Sequence, residues 1–365
     1  MNYAKGNDIL TNTLSILSFG AGAIGTYIGG SLALAGHRVV FVEQPATAAD
    51  LQARGLKLDL SIDKRRGEKA IFELRDPDVS FVSSLDEAFK LGAYDVILFA
   101  LKSFDTPAAL KTFTEYRTSN TDFPPVLCLQ NGVDNEPAIA AVLGTDKVIY
   151  GTVTSAIGRR AAGDIVLKKL RGVGVAEGHP LSGRLVEALE GAYLNAKLYP
   201  KAADMKWSKL LTNLLANPTS AILNMTAAQV FADPRLYQLE ILQLKECLDV
   251  MRAQGIGVVD LPGTPVRALA LATRLPLWFS KPFLSKAAGA GRGAKMPSFH
   301  IDLYAGRGQS EVTYLHGAVV RAGQKFGVPT PVNQLLTEML RDLTAKKIPL
   351  DAFAGQPEKL LEKLK

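Results

Sequence analysis

The chain has 365 residues, 47% of them hydrophobic, and a formal net charge of +7. That length exceeds one ordinary domain and that composition can bury a large core, which excludes a disordered or fibrous chain and makes two domains the expectation. No run of about 18 uncharged apolar residues occurs, and the opening MNYAKGNDILTNT lacks the apolar segment and small-residue cleavage site of a secretory signal; a soluble protein of the cytoplasm is expected, with membrane attachment disfavoured.

From Leu14 to Glu43 the sequence follows strand, glycine turn, helix, strand. Gly20, Gly22 and Gly25 match GxGxxG: the first allows a tight turn, the second lets backbone approach a pyrophosphate, and the third lets the helix pack on the strand. With Ala23 and Ile24 in the same turn, the start of the helix would offer its N–H groups and dipole end to phosphates. Glu43 and Gln44 follow at the end of the second strand. Residues 94–102 (YDVILFALK), 125–132 (PVLCLQNG) and 146–155 (DKVIYGTVTS) are short apolar runs rich in β-branched residues, separated by helix-like stretches. Such alternation argues a parallel sheet covered on both faces. Residues 56–84 suggest added strands or a hairpin, and 163–178 two more short strands around a glycine turn.

Beyond Pro200 the pattern changes to long helical periodicity, so the boundaries expected are 1–198 for a dinucleotide-binding domain and 199–365 for a helical one. Residues 261–297 are unusual, with many Pro, Gly and Ala residues and with Arg267, Arg274, Lys281, Lys286, Arg292 and Lys295 around an apolar LPLWF. A lid, a contact in a homodimer and a membrane-surface patch are all open for this stretch.

Polar residues that end apolar strands in an α/β sheet stand where ligands bind, which singles out Lys102 and Asn131; loop capping explains either one equally well. Lys209, Asn213 and Asn217 are spaced i, i+4, i+8, one stripe of a helix bordered by Leu210, Leu211, Leu214 and Leu215. The stripe faces either a cleft or solvent, and Pro218 would kink the helix. Ser298 and Asp302 share an i, i+4 spacing, and Glu311 opens another helix, where an acid is commonly a dipole partner. The four histidines and two cysteines show no ligand spacing, so no metal is expected. The basic residues are scattered without a nucleic-acid-reading motif, so the charge fits an anionic cofactor and acid substrate rather than nucleic acid.

These blocks in this order, GAGAIG with AGH, LK at 101–102, QNGVDNE at 130–136, WSKLLTN with NPTSAI at 207–222, PSFHID at 297–302 and SEVTYLHG at 310–317, resemble the ketopantoate reductase (2-dehydropantoate 2-reductase) family over nearly the whole chain. The resemblance implies an α/β Rossmann-type parallel sheet domain, then an all-α domain of the 6-phosphogluconate dehydrogenase C-terminal type, with a 2-keto acid reduced by NADPH in the cleft between them. It implies Lys209 as general acid with Glu311 supporting the ketone site. Asn131, Asn213, Asn217, Ser298 and Asp302 would lie around the substrate, and Gly20, Gly22, Ala23, Ile24, Gly25, Gln44, Lys102 and Asn131 around the cofactor.

Two features depart from the family pattern. An Arg that would take the 2′-phosphate of NADPH is replaced by Gln44, preceded by Glu43, an acid that suits the free ribose hydroxyls of NAD. Arg54 or the cluster at 64–66 could substitute. NADP is the cofactor by resemblance, with NAD the rival. The longer link at 261–297 allows a paralogue acting on another keto acid, and a non-catalytic dinucleotide sensor is the reading from a different class.

Overall fold

The computed structural model describes residues 13–68, 70–118, 123–281 and 296–364. Lys286, Arg292 and Lys295 of the basic stretch lie outside the described residues. The chain forms two compact units. The first takes the residues up to Gln130, then Asn135–Ala202 and Pro262–Thr264; the second takes Asn131–Asp134, Ala203–Leu261 and the residues from Pro265 on.

The first unit is built on an eight-stranded sheet. Its strands, in spatial order, are Ala196–Tyr199, Val173–Ala176, Val148–Val153, Val126–Cys128, Val96–Phe99, Ser15–Phe19, Arg38–Val42 and Val79–Val82. The last six of these, renumbered by chain order, run 6-5-4-1-2-3, the doubly wound order whose direction reverses between Ser15–Phe19 and Val96–Phe99. Their pairings are parallel. Val173–Ala176 departs from the expected all-parallel sheet by running antiparallel to Val148–Val153.

Successive side chains of a strand point to opposite faces, and the core divides accordingly. Ile16, Leu98 and Leu127 join one buried cluster, while Leu17, Ile97, Phe99, Val126 and Cys128 join the other. Both faces are therefore covered, which is why these strands are short unbroken apolar runs rather than alternating ones.

The segment expected to add strands does so in two places. Leu56–Asp59 and Ile71–Leu74 pair antiparallel in a second, four-stranded sheet, whereas Val79–Val82 extends the main one. Likewise the two strands around the glycine turn separate: Asp164–Lys169 joins the small sheet and Val173–Ala176 the large. Leu56, Leu58, Ile165 and Leu167 pack into the same cluster as Ile16, so the small sheet closes one face of the large sheet.

The second unit is helical, with Ala202–Leu214, Asn217–Leu223, Ala227–Ala232, Pro234–Ala253, Val266–Ala272, Ser298–Tyr304, Val312–Phe326, Pro331–Thr344 and Pro357–Leu361. Asp233 starts the longest of these: its carboxylate accepts from Arg235 N at 2.8 Å and Leu236 N at 3.3 Å, and Pro234 occupies the first turn, where no N–H is missed. No helix among the described residues is long and apolar enough to cross a membrane.

Candidate functional site

The glycine corner lies at the carboxyl end of Ser15–Phe19, beside the sheet's switch point. Gly20 has φ +101°, a backbone open to glycine, and a Cβ there would come within 2.9 Å of Leu101 Cδ2 on the neighbouring loop. A Cβ on Gly25 would sit 2.2 Å from Gly20 O, so only glycine lets the helix Ala23–Leu34 start this close to the turn. Gly22 faces open space, with no side-chain cap on the helix it precedes. One glycine makes the turn, one the close packing, and the middle one leaves room for a phosphate at the helix start.

The second strand returns an acid to this corner. Glu43 Oε1 accepts from Ala21 N at 2.5 Å and Oε2 from Gln44 N at 3.3 Å, which fixes the half-buried carboxylate against the glycine turn. Lys102 opens the short turn Ser103–Asp105 just past Val96–Phe99, and its carbonyl accepts from Asp105 N at 2.9 Å. A buried amide that the sequence reading did not single out holds this loop: Gln130 Nε2 donates to Leu101 O at 3.0 Å and to Thr106 Oγ1 at 2.9 Å. Asn135 Nδ2 adds a bond to Ser103 Oγ at 3.2 Å. An amide ending an apolar run (VLCLQ) was the available signal.

The other group of candidates falls in the helical unit. The helix Ala202–Leu214 buries Met205, Trp207, Leu210, Leu211 and Leu214 and leaves Lys209 and Asn213 half-buried along one edge. Each leucine buried there is worth about 1.5–3 kcal/mol, enough to set which edge faces out. Asn213 Nδ2 donates to Asn131 Oδ1 at 3.0 Å, and Asn217 Nδ2 donates to Asn213 O at 3.3 Å. Asn217 Oδ1 in turn accepts from Phe299 N at 3.1 Å and Ser298 Oγ at 3.4 Å. Three segments distant in sequence, at Asn131, at Asn213 and Asn217, and at Ser298, thus form one hydrogen-bonded run, with Lys209 one helical turn before Asn213. Asp302 is buried and pairs with Arg307 at 2.8 Å, and buried Glu311 occupies the N-terminal cap of Val312–Phe326.

The expected kinked helix is two helices. The first ends at Leu214, Ala216 turns left-handed at φ +53°, and a second begins at Asn217 with Pro218 in its first turn. Pro218 therefore costs no hydrogen bond where it stands, and Asn217 begins a new helix instead of continuing the stripe. The strain at Ala216 is offset by Glu240, fully buried on Pro234–Ala253. Its carboxylate accepts from Ala216 N at 2.6 Å, Thr219 Oγ1 at 2.6 Å and Gln243 Nε2 at 2.5 Å.

The network continues to His316, whose Nε2 lies 3.0 Å from Gln243 Oε1. Because Gln243 spends its amide N–H on Glu240, that oxygen is left to accept from the imidazole N–H. Burial lowers the His316 pKa to about 3, partly offset by the Leu214 carbonyl. Unfolding raises it toward 6.5, so the unfolded chain binds the extra proton and stability falls as pH drops through 6.5 toward 3, by about 1.4 kcal/mol per unit. His316→Gln should flatten that slope in denaturant titrations repeated across this range.

Of the cations proposed to replace the missing phosphate-binding Arg, the three arginines have partners elsewhere. Arg54 pairs with Asp50 at 2.7 Å and donates to the Ala162 carbonyl. Arg65 and Arg66 pair with Asp63 at 2.8 Å and 3.4 Å and donate to the carbonyls of Tyr193 and Ala192. In the basic stretch, Arg267 N bonds Asp260 Oδ1 at 2.9 Å, Lys281 Nζ bonds Ala232 O at 2.9 Å, and Trp278 is 78% exposed. Cys128 and Cys247 are buried and form no disulfide. Among the described residues no group of three or more His, Cys, Asp or Glu side chains could hold a metal ion.

Comparison with known proteins agrees with this architecture. The 2-dehydropantoate 2-reductase of Archaeoglobus fulgidus is 26% identical over 333 residues, covering 88% of this chain and 95% of that protein. The one from Mesorhizobium japonicum is 27% identical over 362 residues, covering 92% and 99%. The crystal structure of a PanE/ApbA family ketopantoate reductase from Ralstonia eutropha JMP134 superposes with TM-score 0.74 at 25% identity, covering 91% of this chain and 99% of that one. D-mandelate dehydrogenase, solved with NADH and anilino(oxo)acetate, shares the fold at TM-score 0.71 and 20% identity, covering 91% and 98%. The family description "Ketopantoate reductase PanE/ApbA" matches residues 16–178 and its C-terminal counterpart residues 201–344. The α/β unit with its glycine corner and the helical unit with its asparagine run thus correspond to the two parts of one enzyme family, and the chain belongs to the ketopantoate reductases.

Proposed function

We propose that this protein reduces the ketone of a 2-keto acid of the 2-dehydropantoate type to the 2-hydroxy acid, pantoate in the parent reaction of pantothenate synthesis, with a reduced nicotinamide dinucleotide as hydride donor. The observation that carries the reading is the run Asn131–Asn213–Asn217–Ser298 with Lys209 one turn away. Amide and hydroxyl groups suit the carboxylate and hydroxyl of a small acid. An ammonium suits the ketone oxygen, where negative charge grows as hydride reaches the carbon: Lys209 would stabilise that charge and deliver the proton. The fit for the dinucleotide rests on the uncapped helix start and the open space at Gly22, where backbone N–H groups would take the pyrophosphate. The bound dinucleotide supplies the hydride; what the chain contributes is orientation and the proton. The family pattern alone implies NADPH, and the adenosine end of the first unit bears on that point separately. The long stretch 261–297 favours a second reading, reduction of a bulkier 2-keto acid.

The test is loss of reduced-nicotinamide absorbance, with NADH and NADPH each crossed against 2-dehydropantoate and a set of neighbouring 2-keto acids. Turnover with 2-dehydropantoate above all others supports the first reading, and preference for a larger acid the second. Dinucleotide binding with no turnover of any keto acid would overturn both in favour of a sensor.

A further inference from the structure

Beside the glycine corner the first unit holds a cavity of about 720 Å³, bounded by Gly20, by Glu43 and Gln44 at the end of the second strand, and by Ser83 and Ser84 after the strand beside it. Its position beyond the carboxyl ends of these strands is where the adenosine half of a dinucleotide lies in a doubly wound sheet. The charged residues lining it are all acids: Glu43, Asp86, Asp105 and Glu115, with no Lys or Arg among the described residues. Lys111 meets the lining acid Glu115 at 3.7 Å on the exposed side of its helix.

We infer that this chain selects NAD(H) over NADP(H) and that Glu43 is the discriminating residue. The inference rests on the proposed function only in requiring that a nicotinamide dinucleotide is bound. Three observations converge on it. Moving Glu43 aside for a phosphate would break the bonds its carboxylate accepts from Ala21 N–H and Gln44 N–H. Each of its oxygens keeps acceptor capacity, which two ribose hydroxyls can use and a 2′-phosphate, which only accepts and is itself charged, cannot. Arg54, Arg65 and Arg66 do not line the cavity and are paired with Asp50 and Asp63 and with backbone carbonyls. A phosphate in this cavity would thus meet the fixed negative charge of Glu43 against a lining whose charged side chains are acids.

The test is equilibrium binding without keto acid: fluorescence titration with NADH and with NADPH, and calorimetry with ADP and 2′,5′-ADP as probes of the adenosine end alone. The expected result is NADH bound at least ~100-fold more tightly than NADPH, about 2.8 kcal/mol at 1.4 per tenfold, with ADP preferred over 2′,5′-ADP in the same sense. Glu43→Gln, which keeps an oxygen for Ala21 N–H, should shrink the gap to less than about tenfold, chiefly by tightening NADPH, and added salt should shrink it in the native protein. NADPH binding as tightly as NADH would overturn the inference and leave the reductase reading standing. A gap unchanged in Glu43→Gln would overturn the role of Glu43. Failure of both dinucleotides to bind would overturn the inference and the reading beneath it together.

Discussion

Replacing Lys209 by Ala is expected to lower kcat by about 10²–10⁴ while leaving dinucleotide affinity unchanged. Half-buried on Ala202–Leu214, this lysine rides a helix whose edge is fixed by buried Leu210, Leu211 and Leu214, so its removal changes chemistry and not the fold. Loss of an acid acting only in the transition state lowers kcat and kcat/KM together, a barrier increase of about 3–5 kcal/mol. Lys209→Arg separates the two duties: a guanidinium keeps the charge but does not give up its proton, so it should recover only part of the rate. Steady-state kinetics for the three proteins, beside fluorescence titration of the cofactor, makes the comparison. A Lys209→Ala protein that turns over like the parent would remove this residue from the chemistry.

Glu240→Ala should cost about 3–5 kcal/mol, because a fully buried carboxylate would leave Ala216 N–H, the Thr219 hydroxyl and the Gln243 amide without their acceptor. For a domain of this size that is a fall in Tm of roughly 10 °C, measurable by calorimetry. The conservative Glu240→Gln is also informative. Its side chain can present an oxygen to only part of the set and must turn an N–H toward another donor. Because Glu240 holds the left-handed turn at Ala216, and Asn217 follows directly, the Gln variant should raise KM for the keto acid more than it lowers kcat. Glu240 is in this sense a positioning residue. An unchanged KM alongside a lowered Tm would reduce it to a purely structural one.

The two groups of candidate residues were legible to different degrees. The glycine corner could be read from sequence because its requirements are local: a tight turn, a helix start and a close approach, each within six residues and each demanding a missing side chain. The stripe Lys209, Asn213, Asn217 was legible as far as one helix runs. Its break at Ala216 was not, because alanine gives no sign of a left-handed backbone, and the acid that sustains it arrives from 24 residues away. The proline that suggested a kink marks instead the start of the next helix. Nor could Ser298 be joined to Asn217, or Asn131 to Asn213, since these hydrogen bonds close gaps of 81 and 82 residues. The small sheet was legible only as surplus strands: its partners, Leu56–Asp59 and Asp164–Lys169, lie about a hundred residues apart in the chain.

By itself the sequence determined the strand-and-helix alternation, the glycine turn and the change to helical periodicity, because periodicity and glycine spacing record the backbone's own needs; the ordered motif blocks carried the resemblance to one family. Only the tertiary structure decided which arginines are already spent, which acid is clamped at the end of the second strand, and how the left-handed turn before Asn217 is sustained. Those outcomes depend on which polar groups meet after the chain has closed, and a buried charge finds its partners by proximity in space, whatever their separation along the chain.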